Sequence, residues 1–64
     1  MHRMMQTERE KRGWSRQDVA KEVGLSVEAI RLIESGQRNP SYEVLVKLED
    51  LFRMNHRELM AQSK

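Results

Sequence analysis

Residues 24–36 read GLSVEAIRLIESG and place charged and apolar side chains on opposite faces of one short helix. Ser26 is a residue type that caps helix N-termini, and Gly36 is the type that ends helices. At about 100° per residue, a core direction set by Ile30 and Ile33 leaves an outer face. That face holds Glu28, Arg31, Leu32 and Ser35, and its flanks are Val27 and Ala29. The question is what a face with acidic, basic and apolar side chains can bind.

Each residue type on this face has a partner in the major groove of DNA. A guanidinium such as that of Arg31 binds guanine or phosphate, and the Glu28 carboxylate can accept a hydrogen bond from a cytosine amino group. The apolar side chains of Val27, Ala29 and Leu32 can contact thymine methyl groups. Two other readings stay open. Arg31 could simply pair with Glu28 at i, i+3, and the same composition suits a protein-contact patch.

Length and composition bound the classes of protein to consider. The chain has 64 residues, which is enough for one domain over 1–64, and it has no cysteine. Disulfides and thiolate zinc sites are therefore excluded, and a reducing, cytoplasmic location is the natural expectation. The longest apolar run has three residues, as at 44–46, so the sequence predicts no membrane span. The net charge of +2 at pH 7 fits a nucleic-acid binder only weakly.

Apolar residues recur with helical period along the whole chain, and no alternating strand pattern is present. The glycines and the single proline divide it into five helices joined by short connections. The first covers 1–12, the second lies between Ser15 and Gly24, and the third follows Ser26. A fourth covers 42–52, and Asn55 with Glu58 caps a short fifth. We therefore predict a compact all-α domain of five helices.

The second and third helices, joined at V-G-L-S, form a helix-turn-helix over about 15–35. From Arg9 onward the sequence resembles the Cro/lambda-repressor-like (XRE) helix-turn-helix family. The resemblance is carried by R-E-K-R-G-W-S-R-Q-D-V-A-K-E-V-G-L-S, then I-R-L-I-E-S-G-Q-R-N-P-S, then L-x-x-L-x-x-L-F. The residues at the family's spacing are Ala20, Gly24, Ile30, Glu34, Gly36 and Pro40. The match covers roughly residues 5–59.

The resemblance implies a DNA-binding domain whose third helix enters the major groove of double-stranded DNA. The family's base-facing positions correspond to Val27, Glu28, Ala29 and Leu32. Arg31 lies on the same outer face and is also expected to contact a base, so the expected base contacts are Val27, Glu28, Ala29, Arg31 and Leu32. Those expected to contact phosphate are Arg16, Gln17, Ser26, Gln37, Arg38 and Asn39. Arg9 and Glu34 match a structural ion pair of the family.

Three positions depart from the family's pattern. Trp14 replaces a usual leucine or methionine, which is a conservative packing change. Glu49 stands where a small buried residue is common, and Arg53 stands where a glycine commonly caps the fourth helix. The last two put the end of the fourth helix in question, but not the fold.

Catalysis finds no support, since the chain has no cysteine nucleophile and no glycine-rich phosphate loop. His2 and His56 lack ligand spacing, so neither a metal nor another cofactor is expected. The sequence favours a sequence-specific DNA-binding transcriptional regulator, a repressor acting as a homodimer on a palindromic operator. The expected dimer contacts are Met54, Leu59 and Met60. The alternative is a protein-binding helix-turn-helix module that engages another regulator or effector through the outer face of the third helix.

Overall fold

In the computed structural model, which describes residues 2–62, the chain folds into five α-helices. They are α1 (Met4–Lys11), α2 (Arg16–Val23), α3 (Val27–Ser35), α4 (Tyr42–Phe52) and α5 (His56–Leu59). Within residues 2–62, β-type pairing is limited to one isolated antiparallel bridge between Arg3 and Gln62. The prediction of an all-α, five-helix domain is confirmed. None of these helices is long and apolar enough to cross a membrane.

Hydroxyl and amide side chains begin four of the five helices. At α2, the Ser15 hydroxyl accepts a hydrogen bond from the backbone N–H of Asp18 at 3.0 Å, and Asp18 Oδ2 accepts one from the backbone N–H of Ser15 at 2.8 Å. This reciprocal pair is a capping box, and it satisfies two N–H groups that the helix leaves unpaired. The Ser15 N–H, and then its hydroxyl, hold the pKa of the Asp18 carboxyl below its ordinary value. Ser26, Ser41 and Asn55 cap α3, α4 and α5.

The first helix is shorter than predicted, because it begins at Met4 and Met1 lies outside the described residues. Arg3 is extended and makes no side-chain cap. Its backbone N–H donates to the carbonyl oxygen of Glu34 at 2.7 Å, and that of Met4 donates to Ala61 at 2.8 Å. The N-terminal segment is therefore held between the end of α3 and the C-terminal segment, which keeps it out of the helix.

One core joins all five helices. Each helix contributes buried side chains to it, and these are Met5, Val19, Ala20, Val23, Ile30, Ile33, Leu48, Phe52 and Leu59. Half-buried Trp14 packs against this core, with its ring centroid 5.3 Å from that of Phe52 and the planes tilted by 60°. Trp14 thus packs against the core, as expected of a residue that replaces the family's usual leucine or methionine.

The end of α4 shows how the chain accommodates Arg53 in place of glycine. Arg53 adopts the left-handed conformation with φ 59°, which costs a non-glycine residue about 1–2 kcal/mol. Arg12 lies beside this end, donates from Nη2 to the carbonyl oxygen of Phe52 at 2.9 Å, and stacks over the Phe52 ring. Glu49 accepts from the backbone N–H of His56 at 2.7 Å and thereby anchors the start of α5. The two unusual residues leave the family's architecture intact.

Candidate nucleic-acid interface

The helix-turn-helix is built around a left-handed glycine. Gly24 ends α2 with φ 73°, a conformation that disfavours side chains with a Cβ. The backbone N–H of Leu25 donates to the carbonyl oxygen of Ala20 at 2.9 Å and closes the turn. Ala20 is 4% exposed, in keeping with a helix crossing where only a small side chain fits. Together these features fix the direction in which α3 leaves the turn.

The outer face of α3 is open to solvent along most of its length. Glu28 and Arg31 are exposed, Val27 is 45% exposed, and Leu32 is half-buried. Ala29 differs, because it is only 4% exposed. On a helical wheel Ala29 lies roughly 70° from the direction set by Ile30 and Ile33, closer to the core than Val27 at about 90°. Base contact by Ala29 stays a prediction, and this burial leaves little of its methyl group accessible for that contact.

Glu28 and Arg31 form a bidentate ion pair at the centre of the outer face. Arg31 Nε donates to Glu28 Oε1 at 2.8 Å, and Arg31 Nη2 donates to Glu28 Oε2 at 2.5 Å. The Arg31 guanidinium lowers the pKa of the Glu28 carboxyl, and Glu28 raises the pKa of Arg31. The face therefore presents a locally neutral pair rather than a bare acid. Within residues 2–62, Arg31 Nη1 makes no hydrogen bond and remains able to donate outward.

Glu34 holds the inner side of α3 through two guanidinium groups. Arg9 Nε donates to Glu34 Oε2 at 2.7 Å, and Arg16 Nε donates to Glu34 Oε1 at 2.9 Å. Arg9 Nη1 also donates to the carbonyl oxygen of Trp14 at 2.8 Å. Arg9 is 7% exposed and Glu34 is fully buried. The charged cluster of Arg9, Arg16 and Glu34, below called the Glu34 cluster, thus connects α1 and α2 to α3.

The remaining phosphate candidates lie on α2, at the N-cap of α3 and in the loop after α3. Gln17 is exposed on α2, and the Ser26 hydroxyl accepts from the backbone N–H of Ala29 at 3.1 Å while keeping its own proton for donation. Gln37, Arg38 and Asn39 are exposed in the loop after α3. Arg16 is half-buried because Glu34 holds its Nε. These positions offer hydrogen-bond donors before and after α3 in the chain.

Arg3 organises the loop after α3, a role that the sequence pattern did not predict. Its Nη1 donates to the carbonyl oxygens of Ile33 at 3.2 Å and Arg38 at 3.1 Å, and its Nη2 donates to Asn39 Oδ1 at 2.6 Å. No local motif could have identified it, since its partners lie 30 to 36 residues away. The one unusual feature in the sequence was a basic residue, Arg3, at the start of a helix, where acidic residues are more favourable.

The candidate dimer surface is smaller than expected. Leu59 is fully buried in the core of the monomer, so its side chain cannot supply area to a second copy. Met54 and Met60 are half-buried and pack against that core. Met60 Sδ also accepts from Arg3 Nη1 at 3.6 Å. Only the two methionines of the expected set keep accessible surface.

Residues 5–59 match the helix-turn-helix family. The chain belongs to that family. The resemblance to Cro/lambda-repressor-like proteins is confirmed, and the family function is that of DNA-binding transcriptional regulators.

One curated relative gives a closer view of what the chain is similar to. It is named "Putative HTH-type transcriptional regulatory protein" and comes from Halorubrum lacusprofundi. It is 45% identical to the chain over 49 residues, which are 77% of this chain and 15% of the relative. The chain thus spans less than a fifth of the relative's length. No solved structure matches the chain.

Proposed function

We propose that this domain binds double-stranded DNA through the outer face of α3 and regulates transcription. The observation that carries the proposal is the exposed outer face of α3 on a helix whose inner side is held by the Glu34 cluster. A recognition helix must keep its orientation while its outer side chains reach base edges. The helix-turn-helix family match over residues 5–59 supports the same function.

The proposed base contacts follow from the chemistry of four side chains. Arg31 donates from Nη1 to a guanine, while Glu28 holds the guanidinium and accepts from a neighbouring cytosine amino group. Val27 and Leu32 contact thymine methyl groups on either side. Pairing with Arg31 also lessens the repulsion between the Glu28 carboxylate and nearby phosphates. A plain acid on this face would be unfavourable.

Phosphate contacts position the domain without reading sequence. The proposed donors are Arg16, Gln17, Ser26, Gln37, Arg38 and Asn39. Arg16 is held at its Nε by Glu34, which leaves its Nη atoms to donate to phosphate. Arg38 is exposed in the loop after α3 and adds a second full charge.

The finer proposal is a repressor that binds a palindromic operator as a homodimer. One small domain makes few contacts, so two copies are expected on half-sites about one helical turn apart. Met54 and Met60 are the proposed contacts between copies, with Leu59 assigned to the core. Sedimentation at micromolar concentration, with and without a selected duplex, checks this assembly. A species that is monomeric in both conditions contradicts it.

The second candidate is a protein-binding module that uses the same face. The observation in its favour is the Glu28–Arg31 pair, in which Arg31 Nε and Nη2 already donate to Glu28. Fewer donors are then left for bases, and Val27 and Leu32 provide apolar surface beside the pair. Leu32→Lys separates the two functions. It should abolish capture of a protein partner from cell extract if the alternative holds, whereas added positive charge should leave non-specific DNA affinity intact or raised.

The test of the DNA proposal is the salt dependence of binding to a labelled duplex. The logarithm of the association constant should fall linearly with the logarithm of the salt concentration, with a slope of about −0.9 per phosphate neutralised. Arg38→Ala should weaken all duplex sequences together and flatten the slope by about one unit. Arg57→Ala is the matched control, because it removes the same charge from an exposed side chain on α5, and it should leave the slope nearly unchanged. Negligible affinity at low salt for every duplex contradicts the proposal.

A further inference from the structure

The most connected side chain outside the predicted site is that of Arg3. Besides its bonds to Ile33, Arg38 and Asn39, its backbone N–H donates to the carbonyl oxygen of Glu34 at 2.7 Å. The carbonyl groups of the last helical turn lack partners within the helix. Arg3 therefore satisfies the Glu34 carbonyl and adds a second bond to the Ile33 carbonyl, which also accepts from the backbone N–H of Gly36 at 3.2 Å. Its positive charge lies at the negative end of the helix dipole.

The loop at 37–39 has few other constraints. The backbone N–H groups of Gln37 and Arg38 donate to the carbonyl oxygen of Leu32 at 3.0 and 3.2 Å, which fixes where the loop leaves α3. Beyond that point, the Arg38 carbonyl and the Asn39 side chain have Arg3 as their hydrogen-bond partner within the described residues. The guanidinium thus bridges the helix end and the tip of the loop.

The geometry requires a guanidinium rather than a positive charge alone. Nη1 donates to two backbone carbonyls that belong to residues five apart in the chain and also lies 3.6 Å from Met60 Sδ, while Nη2 donates to Asn39 Oδ1. A planar fork holds these acceptors in one fixed arrangement, whereas a lysine ammonium is a flexible point charge. Arg3 also pairs as a bridge with Gln62, so the segment that carries it is itself anchored.

We propose that Arg3 is a positioning residue for DNA binding, which holds the loop at 37–39 in the conformation that contacts the DNA backbone. This inference rests on the proposed function. Arg3 acts through the loop and does not touch DNA. Its contribution is therefore the same for every duplex sequence, and it depends on the presence of the Arg38 side chain.

The experiment measures duplex affinity for wild type, Arg3→Ala, Arg3→Lys, Arg38→Ala and the double variant Arg3→Ala/Arg38→Ala, with Arg57→Ala as the charge-matched control. All measurements are made well below each melting transition. Arg3→Ala should lose roughly tenfold in affinity on all sequences, the loss expected for one charged hydrogen bond. Arg3→Lys should lose almost as much, although it keeps the charge. A direct phosphate contact predicts instead that lysine retains the affinity, and that result overturns the proposal.

The double variant provides the sharper discrimination. Independent losses of roughly tenfold each multiply to about a hundredfold. If Arg3 acts by placing Arg38 and its neighbours, the double variant falls clearly short of that product. A full product of the single effects overturns the proposal, as does an Arg3→Ala variant that binds like wild type.

Amide hydrogen exchange distinguishes this inference from the proposed function on which it rests. In the free protein, Arg3→Ala should speed exchange at the hydrogen-bonded amides of Gln37 and Arg38, while the amides of α2 keep their protection. If wild type binds no duplex, the proposed function fails, and this exchange pattern still tests whether Arg3 orders the loop. Unchanged exchange in the loop overturns the positioning role.

Discussion

Two ion pairs on the same helix illustrate how environment changes what a glutamate and an arginine do. Glu34 lies fully buried between Arg9 and Arg16, whereas Glu28 and Arg31 pair on the exposed face of α3. Removing one partner of a buried pair leaves a charge without water or a counterion. Removing one partner of an exposed pair returns the other to solvent. The first pair therefore stabilises the position of α3, and the second is available for recognition.

The largest expected effect comes from Arg9→Ala. It leaves the Glu34 carboxylate buried with only the half-buried Arg16, so we expect a loss of about 3–5 kcal/mol in the free energy of unfolding. That is a large share of the stability of so small a domain. Thermal unfolding followed by circular dichroism measures it. A melting temperature within a degree or two of wild type contradicts the account.

Arg16→Ala should give an intermediate loss of stability, between those of the buried and the exposed ion pair. Arg9 still pairs with Glu34 in this variant, and the Arg16 side chain is 38% exposed, so its removal should destabilise the domain less than Arg9→Ala. It should also lower affinity for every duplex by removing a phosphate donor. Urea unfolding and duplex titration on the same samples give both values. A destabilisation equal to that of Arg9→Ala would show that the two arginines are equivalent.

The smallest effect on stability is expected at the exposed pair. Arg31→Gln should leave the melting temperature nearly unchanged, but it should raise the pKa of Glu28 back towards the ordinary value of a glutamate, because the guanidinium that lowers it is gone. A lowered pKa in the folded state means that the pair stabilises the fold above the unfolded pKa. That stabilisation disappears as the pH falls through the folded value. Carboxyl-carbon NMR titration of Glu28 in wild type and variant measures the shift, and identical titrations contradict it.

The sequence predicted the fold because its signals are local. Ser15 and Asp18 lie three residues apart, and Gly24 and Gly36 end their helices where left-handed backbone occurs. Such features need no knowledge of the rest of the chain. The i, i+3 pairing of Arg31 with Glu28, one of two readings, was open to prediction for the same reason.

The remaining parts of the site depend on distant contacts. Arg3 reaches Asn39 across 36 residues, and no local sequence pattern indicates the pairing of Arg3 with Gln62 that anchors it. Arg16 was expected to contact phosphate, but its bond to Glu34 depends on how α2 packs against α3. Leu59 was misplaced because a four-residue helix is too short for periodicity to distinguish its buried side from its exposed side.

Selection of bound sequences from a random duplex pool is the most direct test of whether the exposed face of α3 reads DNA. Wild type, Glu28→Gln and the control Arg57→Ala are selected in parallel at low salt. Wild type and the control should enrich the same motif, arranged as two half-sites. Glu28→Gln should change the preference at one base pair of each half-site by roughly tenfold or more. No enriched sequence, or the same motif from Glu28→Gln as from wild type, contradicts the proposal that this face reads DNA.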